Sequence, residues 1–346
     1  MIRTAIASFG MSGKVFHAPL IDANPNMSVY KILERNRSES KHAYPESQLV
    51  RDYNDILNDD QVDVVIVNTP NPYHYEMGKQ ALEAGKHVVM EKPFTNTSEE
   101  GQGLIEIANK NNLLLTVFQN RRFDSDFLTV KKIIDQNLLG YLVEYEAHYD
   151  RYRNFIQEDT WKEEDGPGSG ILYNLGSHMI DQALVLFDLP KSVSCRLAVQ
   201  RKGGKAPDSY HIILDYDEFA VVLKSSYLVR DEGPRYKVLG NIGTFTKYGL
   251  DVQEDCLKAG QNPKSENWGL EPPEMWGTLD TDLNGLHFVG EVASVSGDYN
   301  YFYTNFVDAI QNGAPLAVKA NEALNVIKII EAAIQSHEEG RLIQIQ

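Results

Sequence analysis

The chain has 346 residues, enough for two domains, and its 42% hydrophobic and 24% charged residues are typical of a globular protein. Lys and Arg number 33 against 49 Asp and Glu, and the resulting formal charge of −16 disfavours nucleic acid as a partner. No apolar run is long enough to span a membrane, and no cleavable signal precedes the first strand-like segment. We therefore expect a cytoplasmic protein that is soluble.

Strand and helix patterns alternate over the first third of the chain. Short apolar runs predict strands at residues 3–9, 28–33, 62–67, 87–90 and 113–118. Amphipathic stretches at 73–84 and 98–109 predict helices, the first of them ending before Gly85. Strands that alternate with helices imply a parallel sheet with right-handed crossovers. The sequence thus predicts an α/β domain over residues 1–120.

The pattern changes after residue 120. Apolar and polar side chains alternate strictly from Val143 to Asp150, which is typical of an antiparallel strand with one wet face. Similar runs at 192–200, 210–216, 220–229 and 236–248 predict more strands, 256–284 is interpreted as irregular loop, and 304–312 and 321–338 are predicted helices. Residues 121–346 are therefore predicted to form an α+β domain with a large, mostly antiparallel sheet.

The exposed face of that antiparallel sheet carries a prediction about assembly. Because the second domain is rich in tyrosine and one face of its sheet is expected to be open, we predict a homodimer or a higher homo-oligomer. A monomer whose helices cover the face is the alternative. The two cysteines, Cys195 and Cys256, are too far apart for a Cys-x-x-Cys site, and no metal is predicted.

The first strand leads into a glycine turn. Residues 8–13 read Ser-Phe-Gly-Met-Ser-Gly, in which Gly10 and Gly13 match the dinucleotide fingerprint Gly-x-Gly-x-x-Gly and Ser8 replaces its first glycine. Backbone N–H groups of such a turn, with the dipole of the following helix, bind a pyrophosphate. In this βαβ context the turn predicts a Rossmann domain. The predicted cofactor contacts here are Phe9, Gly10, Met11, Ser12 and Gly13; a purely structural turn is the alternative.

The end of the second strand bears on the choice of cofactor. Glu34 could hold a ribose diol and favour NAD, whereas Arg35 and Arg37 could pair with a 2′-phosphate and favour NADP. Lys14 adds a positive charge nearby. We predict NADP as the cofactor, with NAD as the alternative. A further alternative is that these residues form only a solvated loop of mixed charge and bind no ligand.

Two polar segments follow the next strands, at the edge of the sheet where ligands of parallel sheets bind. Residues 68–74 read Asn-Thr-Pro-Asn-Pro-Tyr-His, and Glu91-Lys92-Pro93 follows one strand later. A lysine in a cleft can have its pKa lowered by desolvation and transfer protons near neutral pH. Lys92 is thus a candidate for chemistry, although most lysines are simply solvated.

These segments, together with the stretch 168–181 that contains Gly-Ser-His-Met-Ile-Asp, resemble the Gfo/Idh/MocA family of NAD(P)-dependent oxidoreductases. Residues 118–126 and 150–153 further resemble its inositol dehydrogenase branch. The resemblance implies that Lys92 is catalytic and that His178 takes or relays a hydroxyl proton, the two meeting beside the nicotinamide. It also implies cofactor contacts at Thr69, Pro70, Asn71, His74, Glu91, Lys92, Asn120 and Trp161, and substrate contacts at Asn120, Arg122, Tyr152, Asn174 and His178.

Two positions depart from the family pattern. Asn174 stands where the family usually has an aspartate, and an amide cannot accept a proton at neutral pH. Ser8 replaces a glycine, which is tolerated where φ is negative. The resemblance predicts a dehydrogenase or reductase that acts on a secondary hydroxyl or ketone of a cyclic polyol or sugar. The alternatives are a weakly catalytic dinucleotide-binding sensor or scaffold and an NAD-dependent glycosidase of the same family.

Overall fold

The computed structural model describes residues 1–158 and 160–345. Its chain divides into two compact units, of which the first comprises residues 1–120, 253–268 and 298–324 and the second the remainder. Residues 253–268 and 298–324, which the sequence analysis assigns to the second domain, thus pack within the first unit. The division of cofactor and substrate binding between two domains stays a prediction.

Ten α-helices occur in the described part of the chain. In chain order they are α1 Ala18–Ala23, α2 Ser40–Ala43, α3 Asn54–Leu57, α4 His74–Glu83, α5 Ser98–Lys110, α6 Ser125–Asp135, α7 Ser177–Phe187, α8 Gln253–Lys258, α9 Asn300–Asn312 and α10 Ala320–Glu339. None of them is both long and apolar enough to cross a membrane.

The first unit is built on a six-stranded parallel sheet. Its strands are β1 Ile2–Ile6, β2 Met27–Leu33, β3 Gln48–Val50, β4 Val64–Val67, β5 His87–Met90 and β6 Leu115–Val117. They lie in the order β3-β2-β1-β4-β5-β6, the order of a doubly wound dinucleotide-binding fold. The predicted parallel sheet is confirmed, and the reversal of strand order between β1 and β4 marks the edge where such folds bind ligands.

Local sequence explains the central elements of this sheet. All four residues of β4 are buried, as expected for a continuous apolar strand covered on both faces. Helix α4 ends before Gly85, whose φ of +76° is the left-handed conformation that glycine favours after a helix. Helix α5 begins with a capping box, in which Thr97 and Glu100 satisfy each other's backbone N–H groups.

The second unit contains a nine-stranded sheet. Its strands are β7 Leu142–His148, β8 Ser192–Ala198, β9 Ser209–Asp215, β10 Ala220–Ser226, β11 Tyr236–Gly240, β12 Gly243–Lys247, β13 Gly277–Leu283, β14 Leu286–Val292 and β15 Ile343–Gln344. The order is β14-β13-β12-β11-β7-β10-β9-β8-β15, and only the β7–β10 pair is parallel. The predicted α/β class with a mostly antiparallel second sheet is confirmed. Tyr145 and Ala147 face the core, as their period-two pattern predicts.

Two predictions for this sheet are wrong. The run 236–248 is a hairpin of two strands rather than one strand, because the chain turns between Gly240 and Gly243. Residues 277–283, predicted as loop, form β13, which pairs with β14 across a turn at Asn284 and Gly285. Both turn residues have positive φ, 52° and 81°, as a two-residue hairpin turn requires.

Candidate active site

The glycine turn after β1 leads directly into a helix that runs from residue 11 to residue 23 and contains a π-helical turn over Gly13–His17. Ser8 is not among the non-glycine residues with positive φ, so its side chain is accommodated without strain. Gly13 must be glycine, since a Cβ there would lie 2.2 Å from the carbonyl oxygen of Ser8. At Gly10 a Cβ would meet only Ser8 Oγ, at 3.5 Å, so this turn presents bare, exposed backbone.

Asn68 fixes the turn at the point where the strand order reverses. It follows β4, and its Nδ2 donates to the carbonyl oxygen of Ser8 at 2.8 Å and to Ser12 Oγ at 3.3 Å. Two buried oxygens beside it, Asn68 Oδ1 and Thr69 Oγ1, have no hydrogen-bond partner among the described residues. Buried polar atoms without partners are rare, and a polar ligand at this edge would satisfy them.

The carboxylate of Glu34, the residue after β2, accepts hydrogen bonds from the loop that follows it. Oε1 accepts the backbone N–H of Glu39 at 3.1 Å, and Oε2 accepts the N–H of Ser40 at 3.0 Å and its hydroxyl at 2.5 Å. Only 6% of Glu34 is exposed. Both carboxylate oxygens are therefore engaged in holding the loop 35–40, whereas Arg35 and Arg37 on that loop are exposed.

A cluster of cations surrounds this loop. Arg51 donates to the carbonyl oxygens of Glu34 and Arg37 and to Ser38 Oγ, which fixes the loop backbone. The ammonium of Lys14 and the guanidinium of Arg37 both pair with the carboxylate of Glu39. The hydrogen bond from Lys14 lowers the pKa of Glu39, so this exposed carboxylate is ionised at neutral pH.

The loops after β4 and β5 are joined by His74. Its ring is fully buried, with Nε2 lying 2.9 Å from the carbonyl oxygen of Thr69 and Nδ1 2.9 Å from that of Pro93. Burial lowers the pKa of His74. Lys92 precedes Pro93 and is half-buried, and its backbone N–H donates to Glu91 Oε2 at 2.9 Å. Within the first unit the structure thus brings the segments 68–74 and 91–93 together.

In the second unit His178 and Asn174 lie on successive turns of one helical stretch. A π-helical turn over Leu172–Gly176 precedes α7, and π turns of this kind often occur at functional sites. His178 is 4% exposed, while Asn174 is the half-exposed residue of the π turn. Residues four apart on a helix share a face. The relative placement fits a polar pair, although their roles stay predictions.

Arg122 makes a buried bidentate ion pair. Its Nε and Nη2 donate to the two carboxylate oxygens of Asp181 at 2.8 and 2.7 Å, and both side chains are buried. Asp181 lies one turn after His178 on α7. The next residue is Gln182. Its Oε1 accepts a hydrogen bond from the hydroxyl of Tyr236 at 2.9 Å, and its Nε2 donates one to the carbonyl oxygen of Arg121 at 2.8 Å. These contacts fix the helix that carries His178; substrate contact by Arg122 stays a prediction.

The other predicted contacts are spread over both units. Asn120 is buried in the first unit, at the start of a 3₁₀ turn. Tyr152 is 39% exposed in the second unit and its hydroxyl accepts from Arg230 at 2.8 Å. Trp161 begins a short 3₁₀ helix there. Phe9 is buried edge-on against Tyr44, whereas Met11 is 58% exposed.

Sequence reasoning missed four residues at the first unit's edge. Glu39 and Arg51 make contacts in the loop after β2, and the buried pair His17 and Tyr303 contacts Glu91 through His17. The charges of Glu39 and Arg51 were visible in the sequence, but their pairing was not. Across the described residues no group of three or more His, Cys, Asp and Glu side chains could hold a metal ion.

Comparison with known proteins assigns the class. The model of the oxidoreductase family's NAD-binding Rossmann fold matches residues 2–119, and that of the family's C-terminal alpha/beta domain matches residues 131–345. The chain belongs to the Gfo/Idh/MocA family of oxidoreductases. It is a dehydrogenase of the class that acts on CH–OH groups with a nicotinamide cofactor. The resemblance inferred from its motifs is therefore confirmed.

Individual relatives cover the whole chain. A scyllo-inositol 2-dehydrogenase (NADP(+)) from Bacillus subtilis is 41% identical over 345 residues, which cover 100% of this chain and 96% of the relative. The crystal structure of an oxidoreductase from Bacteroides fragilis is 46% identical, with a TM-score of 0.92 and full coverage of both chains. That of an oxidoreductase from B. subtilis has a TM-score of 0.97 at 41% identity, covering 100% of this chain and 98% of the other.

The residues of the first unit fit the cofactor of this family. The bare backbone at Gly10 can approach a pyrophosphate, and the buried oxygens of Asn68 and Thr69 lack partners among the residues described. The helix that begins at residue 11 directs its N-terminus at the same turn.

Proposed function

We propose that this protein is an NADP-dependent dehydrogenase of a cyclic polyol, with an inositol as the substrate. The observation that carries the cofactor choice is the engagement of Glu34 by its own loop. A carboxylate at this strand end usually binds the ribose diol of NAD. Here both oxygens are occupied, while Lys14, Arg35 and Arg37 supply positive charge for a 2′-phosphate.

The substrate class is supported by the relative that is 41% identical over the whole chain, whose name gives scyllo-inositol and NADP(+). A cyclic polyol needs several hydrogen-bond partners to be oriented for reaction at one carbon. We propose Asn120, Arg122, Tyr152, Asn174 and His178 for this role. Trp161 is proposed to contact the cofactor.

The proposed chemistry divides between the cofactor and two side chains. A nicotinamide cofactor held at the glycine turn would supply the acceptor for the hydride that leaves the carbon of the reacting hydroxyl. Lys92 hydrogen-bonds the hydroxyl oxygen and stabilises negative charge on it, and His178 accepts the hydroxyl proton. Asn174 can orient a hydroxyl but does not accept a proton, so His178 rather than a carboxylate is the base in this proposal.

The experiment is a substrate screen that follows the absorbance of the reduced cofactor. Inositol isomers, cyclic sugars and open-chain polyols are each tested with NADP⁺ and with NAD⁺. We expect turnover of at least one inositol, faster with NADP⁺. Turnover of open-chain polyols alone would refute the substrate class, and cleavage of glycosides without net change in the cofactor would indicate the glycosidase instead.

Glu39 is expected to compete with the 2′-phosphate for the cations of Lys14 and Arg37. The variant Glu39→Gln removes that carboxylate and leaves the backbone N–H that Glu34 binds. Because exposed ion pairs are weak, we expect NADPH to bind about 2- to 5-fold more tightly and NADH to change less. Titration of both dinucleotides by calorimetry measures the two dissociation constants.

The control for this variant is Glu46→Gln, which makes the same change of charge at another exposed position close in sequence. It is expected to leave both affinities unchanged, because the ion pairs of Lys14 and Arg37 are with Glu39 rather than with Glu46. Equal tightening of NADH and NADPH in Glu39→Gln would contradict the assignment of these cations to the 2′-phosphate.

We also propose that the protein forms a homo-oligomer through the open face of the nine-stranded sheet. On that face the strands expose both charged residues and apolar ones, among them Ile213, which is 37% exposed. A mixed face of this kind suits a symmetric contact between copies. Light scattering is expected to give at least a dimer for the native protein and a monomer for Ile213→Glu; a monomeric native protein would refute the proposal.

A further inference from the structure

A buried hydrogen-bonded chain of three side chains leads to the backbone of Lys92. His17 lies in the π turn after the glycine motif, Glu91 directly follows β5, and Tyr303 lies on α9. His17 Nε2 is 3.0 Å from Glu91 Oε1, and His17 Nδ1 is 2.6 Å from the hydroxyl of Tyr303. The three residues are 0%, 8% and 0% exposed, so water does not compete for these contacts.

The direction of each hydrogen bond follows from the partners. Burial alone would raise the pKa of Glu91, but the hydrogen bond from His17 and nearby positive charge lower it, so the carboxylate is ionised. It can only accept, and we therefore assign the proton to His17 Nε2. Burial raises the pKa of Tyr303 well above its ordinary value, so the phenol keeps its proton and donates a hydrogen bond to Nδ1 of His17.

This assignment gives every member of the chain a hydrogen-bond partner. Tyr303 donates to His17, His17 donates to Glu91 Oε1, and Glu91 Oε2 accepts the backbone N–H of Lys92 at 2.9 Å. Successive hydrogen bonds polarise one another and hold their groups in a single geometry. The aromatic rings around His17 reinforce that geometry. The ring centroids of Phe118 and His17 are 4.5 Å apart, and Phe302 packs edge-on against Phe118 with 4.9 Å between the ring centroids.

We propose that His17 and Tyr303 are positioning residues for Lys92, acting through the carboxylate of Glu91. This rests on the proposed role of Lys92 in the reaction. The carboxylate holds the Lys92 backbone, and the imidazole and the phenol hold the carboxylate. An error of about 1 Å in the placement of a reacting group can cost 100-fold in rate, so the chain affects kcat although neither residue touches substrate.

The test uses the full-length protein with NADP⁺ and an inositol. His17→Leu removes the donor to Glu91, and we expect kcat to fall about 10- to 100-fold while KM for the inositol is unchanged. His17→Gln, whose amide can still donate to the carboxylate, is expected to recover most of that loss. Tyr303→Phe removes a single oxygen and is expected to have a smaller effect in the same direction.

A double-mutant cycle separates positioning from simple destabilisation. If His17 acts through Lys92, His17→Leu will have no further effect on kcat or on the NADPH dissociation constant once Lys92 is alanine. The matched control is Thr116→Val, which removes another buried hydrogen bond to the C-terminal segment of the first unit, from Thr116 Oγ1 to the Val318 carbonyl at 2.7 Å. It is expected to lower stability and leave kcat unchanged.

The outcomes distinguish the two proposals. Native kcat in Lys92→Ala would refute the role of Lys92 on which this inference rests. If Lys92→Ala is inactive but His17→Leu and Tyr303→Phe keep native kcat, or match Thr116→Val in every measurement, the positioning role alone is refuted. Should His17→Leu not fold, Tyr303→Phe and His17→Gln decide the question by the same measurements.

Discussion

Replacing Lys92 by alanine is expected to lower kcat for oxidation of the proposed inositol substrate by about 10²- to 10³-fold, the loss typical when a donor that stabilises developing negative charge is removed. The side chain is half-buried and its backbone is held by Glu91. The proposed pyrophosphate contacts lie at the glycine turn, which the substitution does not touch, so NADPH should still bind. Steady-state kinetics and a separate NADPH titration measure the two effects.

Two further variants define what Lys92 contributes. Lys92→Arg keeps the positive charge but does not release a proton at neutral pH, so activity in this variant would support the electrostatic role proposed for Lys92. Lys110→Ala, at the exposed end of α5, is the control for loss of a lysine and should retain native kcat. Native kcat in Lys92→Ala would remove this residue from the mechanism.

The second large effect is expected at the buried ion pair between Arg122 and Asp181. The variant Asp181→Ala leaves the guanidinium buried without its bidentate partner, and breaking a buried pair in this way costs about 3–5 kcal/mol in the free energy of unfolding. Urea denaturation followed by circular dichroism measures this change. Since Asp181 lies one turn after His178 on α7, kcat should also fall in the folded protein.

The double variant Arg122→Met with Asp181→Leu tests the cause. With neither charge present, no uncompensated charge remains, and much of the lost stability should return. Asp181→Asn keeps the shape and one acceptor, so its loss should be smaller than that of Asp181→Ala. A loss for Asp181→Ala within the range of an ordinary surface substitution would show that water reaches the guanidinium.

Elements with a strong local pattern were predictable from the sequence. The strand at 87–90 has the predicted bounds, and α4 and α5 agree with prediction to within one residue at each end. Their apolar periodicity and end signals are local, so no tertiary information is needed. The glycine turn that leads into a helix was predictable for the same reason, because its fingerprint with Gly10 and Gly13 occupies six consecutive residues.

The features that the sequence did not predict depend on tertiary contacts or have weak sequence patterns. In β13 only Leu279 marks the buried face with a large apolar side chain, and β14 is largely exposed. Alternation therefore gives no signal here, and only the Asn284-Gly285 pair indicates a hairpin. His17 and Tyr303 are separated by 286 positions, which no spacing rule connects. The engagement of Glu34 by Ser40 likewise required the loop geometry, although both residues were visible in the sequence.

The late segment of the first unit has a consequence for how the chain folds during synthesis. Tyr299 packs against Phe16, and Phe302 packs against Phe118. The carbonyl oxygen of Val318 accepts a hydrogen bond from the hydroxyl of Thr116. The nascent nucleotide-binding half therefore keeps aromatic surface uncovered until almost the entire polypeptide has left the ribosome. A fragment that ends at residue 120 would expose the same surface permanently, and we expect it to aggregate rather than serve as an independent module.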